Sequence, residues 1–213
     1  MRLDHVSFAA GPDGLAATTE KIGQLLGAEF LDGGAHPRFG TRNAILPLND
    51  HQYMEIVEVL DHPASEKAAF GQFVRERSEA GGGWMAWCVS VDDMEEVEHR
   101  IGRHAVPGNR RRPDGFNLEW RQIGTSSSRV DPQLPYVLRW DIDDSEHPSQ
   151  MIPDPAVTLT ALDIAGSPQR LEDWLGEPAI TAMKDIQVNW TAPNAAPGIM
   201  AATFDTPHGT VRL

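Results

Sequence analysis

A strand, a helix and a further set of strands recur three times along this chain, at intervals of about 75–80 residues, and such internal repetition governs every other assignment. The first unit begins with a strand at Leu3–Ala9, followed by a Gly-Pro-Asp-Gly break. A helix over 14–26 then sets Leu15, Ile22, Leu25 and Leu26 near one face, with Gly27 placed as its left-handed stop. A short strand at Ala28–Leu31, a Gly-Gly loop carrying His36-Pro37, and a hairpin follow. The hairpin pairs Thr41–Leu48 with Tyr53–Leu60 across an Asn49-Asp50 turn.

A linking helix over 63–80, with Ser65 as its cap, turns Phe70, Phe73 and Val74 to one side. Gly81-Gly82-Gly83 then opens the second unit. It comprises a strand at Trp84–Val91, a helix from Asp93 to Arg103 capped by Asp92, a polar loop (VPGNRRRPDG, 106–115), and strands at Phe116–Ile123 and Tyr136–Asp141. The third unit has a strand at Val157–Ala165, a helix opened by Ser167-Pro168 and stopped at Gly176, and strands at Asp185–Thr191, Gly198–Phe204 and Thr210–Leu213. Helices interrupting mostly antiparallel strands predict an α+β chain. Each unit has one sheet face to cover, so tandem βαβββ modules (about 1–62 and 81–150, joined by a helix about 64–80) curl into a cupped mixed sheet. A third βαβββ-like C-terminal unit, 151–213, packs on 1–150.

Composition narrows the functional classes. A formal net charge of -13 argues against a nucleic-acid partner, which needs clustered Lys and Arg. No apolar run approaches the roughly 20 residues that span a bilayer, so no membrane partner is expected. A single cysteine, Cys88, precludes an intramolecular disulfide and fits a reducing cytoplasm. There is no G-x-S-x-G elbow, phosphate-binding loop, H-E-x-x-H or dinucleotide fingerprint.

The residue that most needs explaining is Glu55, which sits in an otherwise apolar strand. Alternation puts Tyr53, Glu55 and Val57 on one face, and a buried carboxylate requires a cation, an ion pair or hydrogen bonds. His5 lies on a strand that could run beside it. The plain alternatives are a hydrogen-bonded histidine and a solvated or Arg-paired glutamate. His36 either satisfies its loop or rims a cavity, and Asn43, sharing a face with Thr41 and Ile45, either lines the site or decorates the strand. Trp87, Trp120 and Trp140, with Trp84, either pack in the core or stack on an apolar ligand. Arg110-Arg111-Arg112 reads as a solvated loop, or as one folding over the cup with Arg121 and Arg139 below to steer an anion. Cys88 reads as inert and buried.

LDHVSFA and YMEIVEV at the ends of the first unit, HPRFGTRNAILPL between them, LEWRQ followed by LPYVLRWD, the tryptophan-rich second unit and His147-Pro148 form a recognisable set. Together they resemble the glyoxalase-like branch of the vicinal oxygen chelate superfamily, which includes glyoxalase I, the extradiol dioxygenases and bleomycin-resistance proteins. The resemblance covers roughly residues 3–150 well and the third unit more loosely. It implies a small-molecule ligand in the cup, a divalent metal (Zn, Ni, Mn or Fe) held by His5 and Glu55, and lyase, isomerase or dioxygenase chemistry with those two residues catalytic. His36, Asn43, Trp87, Trp120, Arg139 and Trp140 then bind substrate, and modules pairing between chains imply a homodimer. The second module departs from the pattern: it offers Ala86 or Trp87, and Arg139 or Asp141, where further ligands belong. Arg139 could instead pair with Glu55. The resemblance therefore also admits a metal-free binding or sequestering protein.

Overall fold

The computed structural model describes residues 1–178, 183–184, 186–191 and 195–213. The first unit is β1 (Arg2–Ala9), α1 (Gly14–Leu26), β2 (Leu31–His36), β3 (Thr41–Leu48) and β4 (Gln52–Val59). The linker holds α2 (Pro63–Lys67) and α3 (Ala69–Glu79). The second unit is β5 (Gly83–Ser90), α4 (Met94–Ile101), β6 (Val106–Arg111), β7 (Asn117–Ile123), α5 (Thr125–Val130) and β8 (Tyr136–Trp140). Two short 3-10 turns, at Asp144–Glu146 and Pro148–Met151, lead to β9 (Thr158–Ala165), α6 (Pro168–Leu175), β10 (Gln187–Thr191), β11 (Gly198–Thr206) and β12 (Gly209–Arg212). Asp185, the expected start of β10, lies outside the described residues. Among the described residues no helix is long and apolar enough to cross a membrane.

The two modules are wired alike. In the first, β4 runs parallel beside β1 with Ser7 opposite Glu55; in the second, β8 runs parallel beside β5 with Cys88 opposite Tyr136. β3 and β2, then β7 and β6, continue each module antiparallel. The modules join through antiparallel β1 and β5, and Ala35 on β2 opposite Arg111 on β6 closes the cup into a barrel. That seam needs Gly34, whose φ is 94° and where a Cβ would stand 1.9 Å from the Arg111 carbonyl oxygen.

Several local expectations are corrected. The second strand is Leu31–His36 rather than Ala28–Leu31, so His36 ends a strand and Gly33-Gly34 lies within one, at a register shift. The stretch 106–115 is not a loop: 106–111 is β6, paired along its length with β7. The 63–80 helix breaks at Ala68, whose backbone is extended, and the cap of α2 is the His62 side chain. The break lets α3 lie close to the preceding loop; a Cβ on Gly71 would come 2.3 Å from the Phe39 carbonyl oxygen. Asp93, not Asp92, caps α4 by accepting from the backbone N–H groups of Glu95 and Glu96. On α1, Ile22 and Leu26 are buried while Leu25 is 52% exposed.

The third unit keeps the element order but not the wiring. Its separate sheet runs β10-β9-β11-β12, so the first strand pairs in parallel with the strand directly after its helix. In the modules the parallel partner of the first strand is instead the last one. One apolar cluster joins barrel residues such as Val6, Trp87 and Val89 to Leu162, Ile164 and Phe204 of this sheet. Trp84 fastens the two bodies: its ring stacks on Phe204 at 6.4 Å, meets Phe8 edge-on at 5.2 Å, and its Nε1–H donates to the Leu213 carbonyl at 3.2 Å. Trp84→Ala is therefore expected to cost about 3–5 kcal/mol, the range for truncating a buried aromatic. Urea denaturation checks this, and a loss below about 1 kcal/mol would show that the sheet docks without it.

Candidate functional site

The barrel holds a cavity, open at its mouth, that leaves about 30 Å³ to the centre of a water-sized sphere and is lined by Phe39, Phe70 and residues of both modules. Its polar side starts with an irregularity in β1. Leu3 lies opposite Val89 and His5 opposite Cys88, so Asp4 is the extra residue of a bulge. Strict alternation would send Asp4 and His5 to opposite faces; the bulge brings both carboxylate and imidazole into one buried network.

Asp4 is wholly buried, yet three donors reach it. Its Oδ1 accepts from His5 Nδ1 at 2.7 Å; its Oδ2 accepts from Trp140 Nε1 at 3.0 Å and His147 Nε2 at 3.3 Å. Burial opposes ionisation, but the hydrogen bonds and charges of His147 and His5 outweigh it and hold the carboxyl far below the usual range. The tautomers follow from the partners. His147 Nδ1 accepts from the backbone N–H of Ser149 at 3.2 Å, which leaves Nε2 to donate to Asp4. His5 Nδ1 likewise donates to Asp4, so in the neutral ring Nε2 accepts from the Tyr136 hydroxyl at 2.6 Å. Tyr53 stacks on the His5 ring at 4.4 Å and fixes its plane.

Glu55, on the strand next to β1, faces the same cavity, its Oε1 3.7 Å from His5 Nε2. Ser7 Oγ donates to Oε1 at 2.6 Å and Asn43 Nδ2 to Oε2 at 2.7 Å. Burial raises its pKa, but His5, His36, Ser7 and Asn43 together bring it below the ordinary value, so Glu55 is a carboxylate at neutral pH. Tyr136 and Tyr53 are pushed well above the usual phenol range by burial and by nearby anionic charge, so both remain phenols.

The second module supplies no matching pair. Aligning the eight-residue strands β1 and β5 end to end makes Ala86 the counterpart of His5, and Cys88 that of Ser7. Ser7 lies opposite Glu55 and Cys88 opposite Tyr136, so Tyr136 is the counterpart of Glu55. Among the described residues no group of three or more His, Cys, Asp or Glu side chains could hold a metal ion. The donors at His5 and Glu55 are already bonded to Tyr136, Ser7 and Asn43. A buried guanidinium, Arg110, also lines the cavity and repels a divalent cation. This donor set does not fit a resident divalent metal.

His5, Glu55, His36, Asn43, Trp120 and Trp140 all line the cavity. Trp87 does not: it is fully buried in the cluster between barrel and C-terminal sheet, and its Nε1–H donates to the Gln133 carbonyl. Arg139 does not either. Its side chain is 38% exposed, points to an outer cleft and lies 3.6 Å from Asp141, so it makes no pair with Glu55. The sequence reading missed Asp4, Ser7 and Tyr136, and placed Arg110 in a loop, either solvated or folded over the cup, rather than on a strand. For Arg110 a signal existed: Pro113-Asp114-Gly115 is turn chemistry between two candidate strands, and makes 106–111 a hairpin arm.

A family model described as "Glyoxalase-like domain" matches residues 3–178. Among solved structures, a hypothetical protein from Staphylococcus aureus superposes with a TM-score of 0.62 at 18% identity, over 82% of this chain and 74% of that one. Methylmalonyl-CoA epimerase from Mycobacterium tuberculosis gives a TM-score of 0.43 at 17% identity, over 65% of this chain and 86% of that one. A variant of the Streptomyces coelicolor methylmalonyl-CoA epimerase in complex with 2-nitronate-propionyl-CoA gives 0.44 at 20%, over 66% and 93%. No curated protein matches the chain.

The buried histidines set an acid limit. Burial, reinforced by Arg110, lowers His36 to about 4 despite the opposing charge of Glu55; burial and His147 lower His51 to about 4. In the unfolded chain both take a proton near pH 6.5, so stability is full above that value and is lost as pH falls towards 4. His36 alone is worth about 3 kcal/mol across that window. Denaturation midpoints for the native chain and His36→Gln check this. The native curve is expected to fall from pH 7 to 4.5 and the variant's to fall about half as steeply; a flat native curve refutes it.

Proposed function

The chain belongs to the glyoxalase-like domain family, and from that premise we propose that it is an enzyme that moves a proton on a small carbonyl compound held in the barrel. The observation that carries this reading is the convergence of an ionised Glu55 and the Asp4–His5–Tyr136 line, 3.7 Å apart at His5, in one cavity.

The roles follow from the charges. Glu55 takes a proton from the carbon next to the carbonyl, and the electron pair of that bond moves onto the carbonyl oxygen. The Tyr136 hydroxyl, turned from His5 to that oxygen, stabilises the developing charge; a neutral phenol at neutral pH is suited to donate. His5, held in one tautomer by Asp4, positions Tyr136, whose hydroxyl keeps its proton while donating to that oxygen, and Glu55 returns its proton to the same carbon as the electron pair moves back from the oxygen. Ser7 and Asn43 hold both Glu55 oxygens in place. The family's divalent metal has no step here, because the donors present do not make its site.

A second reading is metal-free sequestration. Trp120 and Trp140 meet at 5.4 Å, and with Phe39 and Phe70 they form an aromatic wall suited to an apolar ligand.

Glu55→Gln and Tyr136→Phe are each expected to lower kcat by about 100-fold or more, the usual worth of a placed acid or base, with ligand-induced tryptophan quenching retained. Quenching by small carbonyl compounds with no turnover in the native protein favours sequestration. Metal content by mass spectrometry is expected to be well below one per chain, and turnover to survive chelation. Stoichiometric Zn, Ni, Mn or Fe that disappears in Glu55→Gln would overturn the metal-free assignment.

A further inference from the structure

Of the three consecutive arginines on and just after β6, two are accounted for at the surface. Arg111 points outward, and Arg112 is held by Asp114 and Glu146 over the face of Phe116. Arg110 turns the other way, is 2% exposed and lines the cavity. Gly108 makes this possible. It shares Arg110's face of β6, and a Cβ there would come 2.3 Å from the Trp120 indole nitrogen, so only glycine lets that ring lie across the strand beside the guanidinium.

Within this wall Nε and Nη2 of Arg110 have no hydrogen-bond partner among the described residues. Those two nitrogens form one edge of the guanidinium, with their N–H bonds parallel. That edge matches the two oxygens of a carboxylate. Leaving charged donors buried and unpaired is expensive, so an arrangement that retains them needs a group to meet them. Glu55 does not do so: it acts on Arg110 only through its charge, while its own oxygens are taken by Ser7 and Asn43.

We propose that the cavity takes a compact oxo acid as its monoanion, with the carboxylate on the open edge of Arg110 and the carbonyl between Glu55 and Tyr136. The carbonyl half rests on the acid–base reading above; the carboxylate half rests on Arg110 alone. A single charge is specified because Asp4 and Glu55 already place two anions in this network, and one guanidinium does not balance a dianion as well. The interior leaves only about 30 Å³ to the centre of a water-sized sphere, which limits the ligand to a few carbons.

The test uses fluorescence from Trp120 and Trp140, which line the cavity, and thermal melting. The probes are pyruvate and 2-oxobutanoate, their amides, and inorganic phosphate. The acids are expected to bind about tenfold or more tighter than the amides, as a charge-assisted pair implies, and phosphate not to bind. Arg110→Met is expected to lose that preference and the acid-induced rise in Tm. It should melt no lower than the native protein without ligand, because an unpaired buried cation has been removed. Arg110→Lys, which keeps the charge but not the edge, is expected to lose most of the preference. Acids and amides binding alike, no binding of either acid, phosphate binding as tightly as the acids, or Arg110→Met retaining the preference each overturn the proposal. Failure of the two readings is distinguishable. If the native protein binds the acids with the Arg110-dependent preference and turns over neither them nor neutral carbonyls, the carboxylate site stands without the acid–base chemistry. If neutral carbonyls turn over and Arg110→Met does not change that, the chemistry stands without the carboxylate site.

Discussion

Two carboxylates, Asp4 and Glu55, are sealed inside the barrel with exposures of 0% and 3%, and the arrangement of the interior follows from keeping them ionised there. In a low-dielectric interior each would otherwise protonate, and the fold would lose a hydrogen-bond acceptor on which several strands converge. Asp4 is stabilised by donors from three places in the chain: His5 beside it, Trp140 at the end of β8 and His147 in the turn beyond. It therefore ties the first module to the second and to the segment leading to the C-terminal sheet. Glu55 is stabilised within its own module, by Ser7 on β1 and Asn43 on β3, each one strand away. One carboxylate thus locks the modules together and the other stays local, with an oxygen facing the cavity.

The backbone makes these placements possible by leaving out side chains at close approaches. Without Gly34 the Arg111 carbonyl could not come within bonding range of β2, and the barrel would stay open along that seam. Closing there fixes the pleat of β6, and the pleat decides that Arg110 faces inward while Arg111 faces out. Gly108, two residues earlier, then leaves room for Trp120 to lie across the strand. A cation inside the barrel is thus a consequence of two glycines on neighbouring strands and of the register between them.

What the sequence made legible is what period and turn chemistry encode. The hairpin of β3 and β4 follows from alternation and its turn, the stops at Gly27 and Gly176 follow from the left-handed conformation they adopt, and the pairing of His5 with Glu55 comes from the family resemblance. Alternation fails where the ladder is irregular. The bulge at Asp4 places neighbouring side chains in one network, and no period-two pattern foretells that. β6 was hidden for another reason: Pro107, Gly108 and Asn109 are poor strand formers, and pairing with β7 overrides their propensity. Trp87 was misplaced because β5 is buried on both faces, so its apolar run carries no sign of which side meets the cavity.

The same duplication that makes the barrel symmetric in backbone leaves it asymmetric in charge. Where the first module presents His5 and Glu55, the second presents Ala86 and Tyr136, a methyl group and a phenol. A cation at the centre of a symmetric cup would be shared by ligands from both halves; here one half contributes none of that type. The positive charge enters instead from β6, on a side chain tethered to the wall. A tethered guanidinium differs from a metal ion in a way that bears on chemistry: it offers directional donors to an anion and cannot widen its coordination to take up a second oxygen. A pocket built this way separates holding the ligand from acting on it. In the reading proposed above, Arg110 holds the ligand, and Glu55, His5 and Tyr136 act on it.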